Sequence, residues 1–188
     1  MNDFLALARR NALPAEFQAL VREFPREGWD EGIGPFTQFY LERHELFRRL
    51  TAKLSGVAEQ FLNGEASTAR FGSAVSRHGS MLLTELSTHH HIEDEHYFPK
   101  IAALDPRVER AFDLLERDHH DLEESLERFQ TLGNLAIEGL EGDGRYQAAD
   151  RFLTSLAGLD TLLKRHLDDE EDIVVPLMLK YGEEAALN

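Results

Sequence analysis

The sequence predicts an all-α protein: an up-down-up-down four-helix bundle preceded by a short N-terminal helical arm. Three observations carry this expectation. Four long stretches repeat their apolar residues at steps of three and four, the spacing that lines one face of a helix. No stretch alternates with the period of two that a half-buried strand requires. Glycine and proline gather between the stretches, in two short connections and one longer one, and short connections favour antiparallel neighbours.

The elements follow in order. Residues 1–34 form an arm and loop, with Phe17, Leu20, Val21 and Phe24 giving a short amphipathic pattern after Pro14. Residues 35–188 form the bundle. Its first helix runs from Pro35, a favourable first helical residue, to Leu62, and stops at Asn63-Gly64. The second runs from about Ser67 to Ala103, its end loosened by Pro99. Asp105-Pro106 reads as an N-cap and first turn opening the third, to about Leu132. After the loop Gly139–Gly144 the fourth continues to about Tyr181.

Composition narrows the chemistry. A chain of 188 residues with 42% apolar and 29% charged residues has enough material for one packed core. It has no cysteine, which excludes disulfides, thiolate nucleophiles, iron–sulfur clusters and zinc–thiolate sites. Any metal is therefore held by nitrogen and oxygen. The net charge of −15 repels a phosphate backbone, so no nucleic-acid partner is expected. No apolar run approaches a membrane span. Near the start, Asp3 precedes Arg9 and Arg10, the wrong order for a secretory signal, so a cytoplasmic location is expected.

Nine histidines are the anomaly. Traced by steps of three and four, the inner stripe of the first helix is Phe36, Tyr40, His44, Phe47, Leu50, Leu54, Val57 and Phe61. The second gives Phe71, Val75, His78, Leu82, Leu86, His89, Glu93 and His96, and the third gives Phe112, Leu115, His119, Leu122, Leu126 and Phe129. The fourth gives Phe152, Leu156, Leu159, Leu163, His166, Glu170, Ile173 and Leu177. Each stripe thus carries an inward histidine, and two add a glutamate four residues on. His120 shares a row with Glu116, Glu123 and Glu127 and faces water; the pair His91 and Glu95 follows the row of Thr84 and Thr88. His78 lies about 16 Å from His89 by helix rise, too far to share a metal. His96, one turn past Glu93, is either a neighbour of the site or a spare ligand.

A carboxylate on an apolar face must be paired, hydrogen-bonded or bound to a metal. No lysine or arginine joins these stripes beside Glu93 and Glu170, so metal ions answer the need. The chain also repeats itself: His89, Glu93 and Pro99 align with His166, Glu170 and Pro176 at an offset of 77 residues. A ferritin-like carboxylate site would need Glu-x-x-His on two suitable helices. The two such strings, Glu93–His96 and Glu116–His119, fall on consecutive helices, with Glu116 off the inner face.

A His on the first helix, His-x-x-x-Glu running into Phe-Pro on the second, Asp-His-His on the third and His-x-x-x-Glu-Glu followed by Pro on the fourth resemble the hemerythrin-like, HHE cation-binding domains. The resemblance covers about residues 35–180. It implies two irons held by His44, His89, Glu93, His119, His166 and Glu170, with both glutamates bridging; Mn or Zn suits the same donors. Oxygen-carrying members have a further His one turn after the third-helix ligand, where this chain has Glu123. That departure shifts the expectation from reversible oxygen carriage to the four-His, two-Glu members. These act in iron sensing, nitric oxide or peroxide response, and iron-centre repair.

The leading expectation is a di-iron protein that binds or reacts with O₂, peroxide or nitric oxide. The alternatives are a non-catalytic iron sensor or donor, and a helical interaction module whose inward histidines are only core residues. The residues leave the physiological partner and the oligomeric state open.

Overall fold

The computed structural model describes residues 6–187; Asp3 and the other residues of the extreme N-terminus lie outside this range. Every regular element among the described residues is helical, and none of these helices is long and apolar enough to cross a membrane. The arm before Pro35 is helical but broken. It consists of 3-10 turns at Leu7–Arg9 and Ala15–Phe17, the helix α1 (Ala19–Glu23) and a 3-10 stretch at Arg26–Glu31. Pro14 and Pro25 stand immediately before two of these pieces, where a missing N–H and a fixed φ interrupt a continuous helix.

Helix α2 spans Pro35–Leu62, with the expected bounds. It ends because Gly64 takes φ 77°, a left-handed conformation that costs glycine nothing. Its N-terminus is capped from the far end of the chain. Glu183 accepts hydrogen bonds from Phe36 N at 3.2 Å, Thr37 N at 2.7 Å and Thr37 Oγ1 at 2.7 Å. A Cβ on Gly34 would collide with that carboxylate.

The second helical stretch starts and ends within a residue of its expected limits, but it is not uniform. Helix α3 (Thr68–Ala74), a π turn (Val75–Gly79), α4 (Ser80–Ile92), a second π turn (Glu93–Tyr97) and α5 (Phe98–Ala102) follow without interruption. Ser67 caps it, its hydroxyl accepting from Arg70 N at 3.2 Å. The second π turn directly precedes Pro99, whose ring crowds the carbonyl four residues back, at Glu95. A wider turn relieves that crowding.

Helix α6 covers Glu109–Glu138, later at both ends than expected. Asp105 caps a preceding turn instead, accepting from Arg107 N at 3.1 Å. The helix runs on through Gly133, where an added Cβ would lie in ordinary contact, 3.5 Å from Phe152 and Val75. Helix α7 covers Arg145–Tyr181 and carries Pro176 within it. Gly182, at φ 81°, ends it before a short α8 (Glu183–Leu187).

The chain forms two compact units. One comprises Met1–Glu45, His89–Asp121 and Leu163–Asn188. Its apolar core joins Leu13, Phe17 and Leu20 of the arm to Phe98, Ile101, Phe112, Leu115, Ile173 and Leu177. The other comprises Leu46–Thr88 and Leu122–Leu162. There Phe61 stacks on Phe71 at 4.6 Å, and Phe152 meets Phe71 edge-on at 6.1 Å. Thr51 Oγ1 donates to Asp160 Oδ1 at 2.6 Å. His78 is half-buried in this second unit. All six inward histidines and glutamates fall in the first.

The cap on α2 is testable. Its hydrogen bonds hold the Glu183 carboxyl below its ordinary value of 4.5, although burial acts the other way. A depressed folded-state pKa gives stability that is present above the unfolded value and lost as pH falls through the folded one. Glu183→Ala is expected to cost about 1 kcal/mol at pH 7. In urea melts the gap between variant and wild type should close under acid; a gap constant with pH would mean the carboxylate charge is not what caps the helix.

Candidate metal centre

Four helical segments and one π turn bring the site residues together. Tyr40 and His44 sit one turn apart on α2, His89 and His90 end α4, Glu93 opens the π turn, His119 lies on α6, and His166 and Glu170 lie one turn apart on α7. Their donor atoms gather in two groups, each with atoms within 4.8 Å of one another. His44, His89, Glu93 and Glu170 make one, and His90, His119 and His166 the other. All six residues expected from the sequence are among them.

The seventh, His90, was not anticipated. It is buried, and its ring stacks on His119 with centroids 4.0 Å apart. A signal was there: His90 is four residues beyond Leu86 on the row of Leu82 and Leu86, and His89 is three beyond. At this level of the helix both face inward, on either side of the line to Glu93. The π turn settles the open question of His96. From Glu93 the next buried residue is Phe98, five positions on, and His96 is exposed. A uniform helix would have turned His96 inward. His91, His120, Glu116 and Glu123 are also exposed, as their rows predict.

Outer partners fix the ring orientations. His44 Nδ1 lies 3.0 Å from Glu171 Oε1, so its N–H donates outward and Nε2 faces the site. His119 Nδ1 lies 2.9 Å from Asp94 Oδ1, with the same consequence. His166 Nδ1 stands 3.7 Å from Asp118 Oδ2. That is beyond hydrogen-bond reach and leaves His166 Nδ1 without a partner, whereas the hydrogen-bonded carboxylates behind His44 and His119 fix the tautomer and raise the basicity of the inner nitrogen. The inner atoms then face one another: His44 Nε2 is 3.1 Å from His89 Nε2, and Glu93 Oε1 is 3.1 Å from His89 Nε2. His166 Nε2 is 3.2 Å from Glu170 Oε2. Tyr40 donates its hydroxyl to Glu170 Oε1.

Many of these inner atoms are buried without a hydrogen-bond partner in the protein. They include both oxygens of Glu93, Glu170 Oε2, and Nε2 of His90, His119 and His166. Buried polar atoms left unsatisfied at this density are costly. Cations between them would satisfy all of them at once, so the donor set fits metal ions well.

The electrostatics agree. Burial, reinforced by the charge of Glu170, pushes the Glu93 carboxyl well above its ordinary range. Burial acts on Glu170 in the same sense but is outweighed by His44, Glu93 and His166, which hold it well below. The two glutamates are thus pushed in opposite directions. Burial lowers His89 to about 3, and neighbouring imidazoles add to the effect. For His166 burial is outweighed by Asp118 and Glu170, and its pKa rises to about 9.

Among protein families, the model described as Hemerythrin HHE cation binding domain matches residues 36–178. No curated protein and no solved structure matches the chain.

His166 bears on the proton balance of metal uptake. With its pKa raised to about 9, it holds a proton at pH 7.5 in the metal-free fold, whereas His89, lowered to about 3, is already neutral. Ligands must be deprotonated, so loading should release protons, the one on His166 among them. A pH indicator in weak buffer during metal titration measures this. Release close to zero would show that His166 carries no proton in the metal-free fold.

Proposed function

Because the chain belongs to the hemerythrin HHE cation-binding family, we propose that it is a two-metal, di-iron protein whose centre binds or reacts with a small molecule such as O₂, peroxide or nitric oxide. Residues 35–188 are read as the up-down-up-down four-helix domain and residues 1–34 as its arm. The ligands are His44, His89, Glu93, His119, His166 and Glu170, with His90 adding a further nitrogen to the second group. The observation that carries this reading is the convergence of orphaned, buried nitrogen and oxygen atoms in two adjoining groups.

The split of donors gives each group a character. His44 and His89 stand with the two carboxylates in one, and three imidazoles make the other. Imidazole and carboxylate suit iron, and manganese or zinc by the same chemistry. Two bound irons would supply redox chemistry and open coordination positions to a small ligand. The chain's own residues do the rest. Glu171 and Asp94 hold the tautomers of His44 and His119, the Tyr40 hydroxyl holds one oxygen of Glu170, and packed apolar side chains exclude bulk water. A groove of about 540 Å³, lined by Asp94, Phe98, Phe112 and Glu116 among others, reaches the outer partner of His119 and offers a small molecule an approach. Glu123 is exposed on α6, so it does not stand in for the extra third-helix histidine of the oxygen carriers.

Elemental analysis with an optical spectrum of the natively purified protein tests the reading. About two irons per chain are expected, with spectral change when the reduced protein meets O₂, peroxide or nitric oxide. A folded, helical chain that takes up no metal would end the proposal. His89→Ala and Glu170→Ala should lose the metal and the stabilisation it confers, about 2.7 kcal/mol at a hundredfold excess over Kd. His91→Ala and His120→Ala should match wild type in both.

A further inference from the structure

We infer that the N-terminal arm is the outer wall of the metal centre: Arg10 and Arg26 grip the carboxylates behind His166 and His44, so that docking of the arm and loading of the centre stabilise each other. This rests on the two-metal reading above and adds a segment that lies outside the family match at residues 36–178.

The two arginines make parallel connections. Arg10, only 7% exposed, reaches from the first 3-10 turn of the arm into the interior. Its NH1 donates to Asp118 Oδ1 at 3.2 Å, its NH2 to Asp118 Oδ2, and its Nε to Asp169 Oδ2 at 2.7 Å. Asp118 and Asp169 are both fully buried, and each adjoins a proposed ligand, His119 and Glu170. Asp118 in turn faces His166 Nδ1. Arg26 begins the last 3-10 stretch of the arm. Its NH1 donates to Glu171 Oε2 at 3.0 Å and its Nε to Asp172 Oδ1 at 2.7 Å; the other oxygen of Glu171 accepts from His44 Nδ1. Each chain of contacts runs from arm arginine to carboxylate to the outer nitrogen of an inward histidine.

These contacts exceed what fastening the arm requires. Leu13, Phe17 and Leu20 already bury apolar surface in the core of this unit. A buried guanidinium between two buried carboxylates is expensive to assemble, and burying three more apolar side chains would have fastened the arm at lower cost. What the ion pairs add is control of the histidines. With the arginine in place the carboxylate is held on its outer side, so that Glu171 keeps accepting the His44 N–H and Asp118 stays against His166 Nδ1 at 3.7 Å. Without it the carboxylate turns toward water and the ring loses its fixed tautomer and tilt. Arg165 strengthens the join, donating to Asn11 O at 2.9 Å and also to Asp169. Linkage requires the effect to be reciprocal: whatever factor the docked arm adds to metal affinity, bound metal adds to docking.

The test uses the full chain loaded with Co(II), which reports ligand geometry in its visible spectrum. Arg10→Gln should weaken Co(II) binding, read against a competing chelator, by about 10- to 100-fold, the usual effect of losing an outer partner of a ligand. Arg26→Gln, at a side chain 41% exposed and so readily tolerated by the fold, should shift the Co(II) spectrum and speed metal loss, with a smaller change in affinity. Hydrogen exchange completes the test: backbone amides of residues 7–31 should be more protected in the loaded than in the metal-free wild type, and the difference should shrink in both variants. Wild-type affinity and spectrum in Arg26→Gln, or arm exchange indifferent to metal, would overturn the inference while leaving the two-metal centre intact. A wild-type chain that binds no Co(II) would overturn both.

Discussion

Glu93 and Glu170 lie fully buried among apolar side chains, and much of the surrounding unit is arranged around the cost of keeping them there. An isolated carboxylate in such a place is either protonated or compensated. This protein divides the two solutions. Burial would raise Glu170, but His44, Glu93 and His166 outweigh it and hold the carboxyl low, whereas burial and then the charge of Glu170 push Glu93 high. Such a pair is poor structural material without a cation, since removing both carboxylates in favour of apolar residues would stabilise the metal-free fold. Their presence is better explained by binding than by folding.

The histidines fit the same logic. Each of His44 and His119 gives its outer N–H to a carboxylate and turns Nε2 inward. A histidine that merely filled a core would satisfy its inner nitrogen as well. Here the inner nitrogens of His90 and His119 find no hydrogen-bond partner, and those of His44, His89 and His166 crowd against one another and the two glutamates, an arrangement suited to a site that receives a cation. Negative charge then passes outward in layers, from the glutamates through the imidazoles to Asp94, Asp118 and Glu171. The arginines of the arm meet it last.

The local geometry of the second helical stretch has a direct consequence for the site. Its second π turn begins at Glu93 and offsets the residues after it from a uniform 3.6-residue phase. His89, His90 and Glu93 precede or open the turn and face inward; His96 lies within it and faces water. Pro99 explains why a wider turn is placed there, and π turns are frequent at functional sites for this reason. One proline therefore influences which histidines are available as ligands.

The sequence by itself determined the helical character, the bounds of α2, the end of α7 near Tyr181 and six inward residues, because helical periodicity is a local property written in steps of three and four. The exposure of His91, His120, Glu116 and Glu123 was legible for the same reason. Only the tertiary structure decided the rest. His90 was passed over because two adjacent histidines both satisfied the stripe, and burial depends on what the neighbouring helices place opposite them. The continuation of α6 past Leu132 to Glu138 was not legible, because Phe152, which faces Gly133, is far away in the chain. The partners Arg10 with Asp118, Arg26 with Glu171, Tyr40 with Glu170 and Glu183 with the start of α2 are separated by 108 to 147 residues. No periodicity encodes such pairs; they exist only once packing has brought distant segments together and low dielectric has made an unpaired charge too costly to leave.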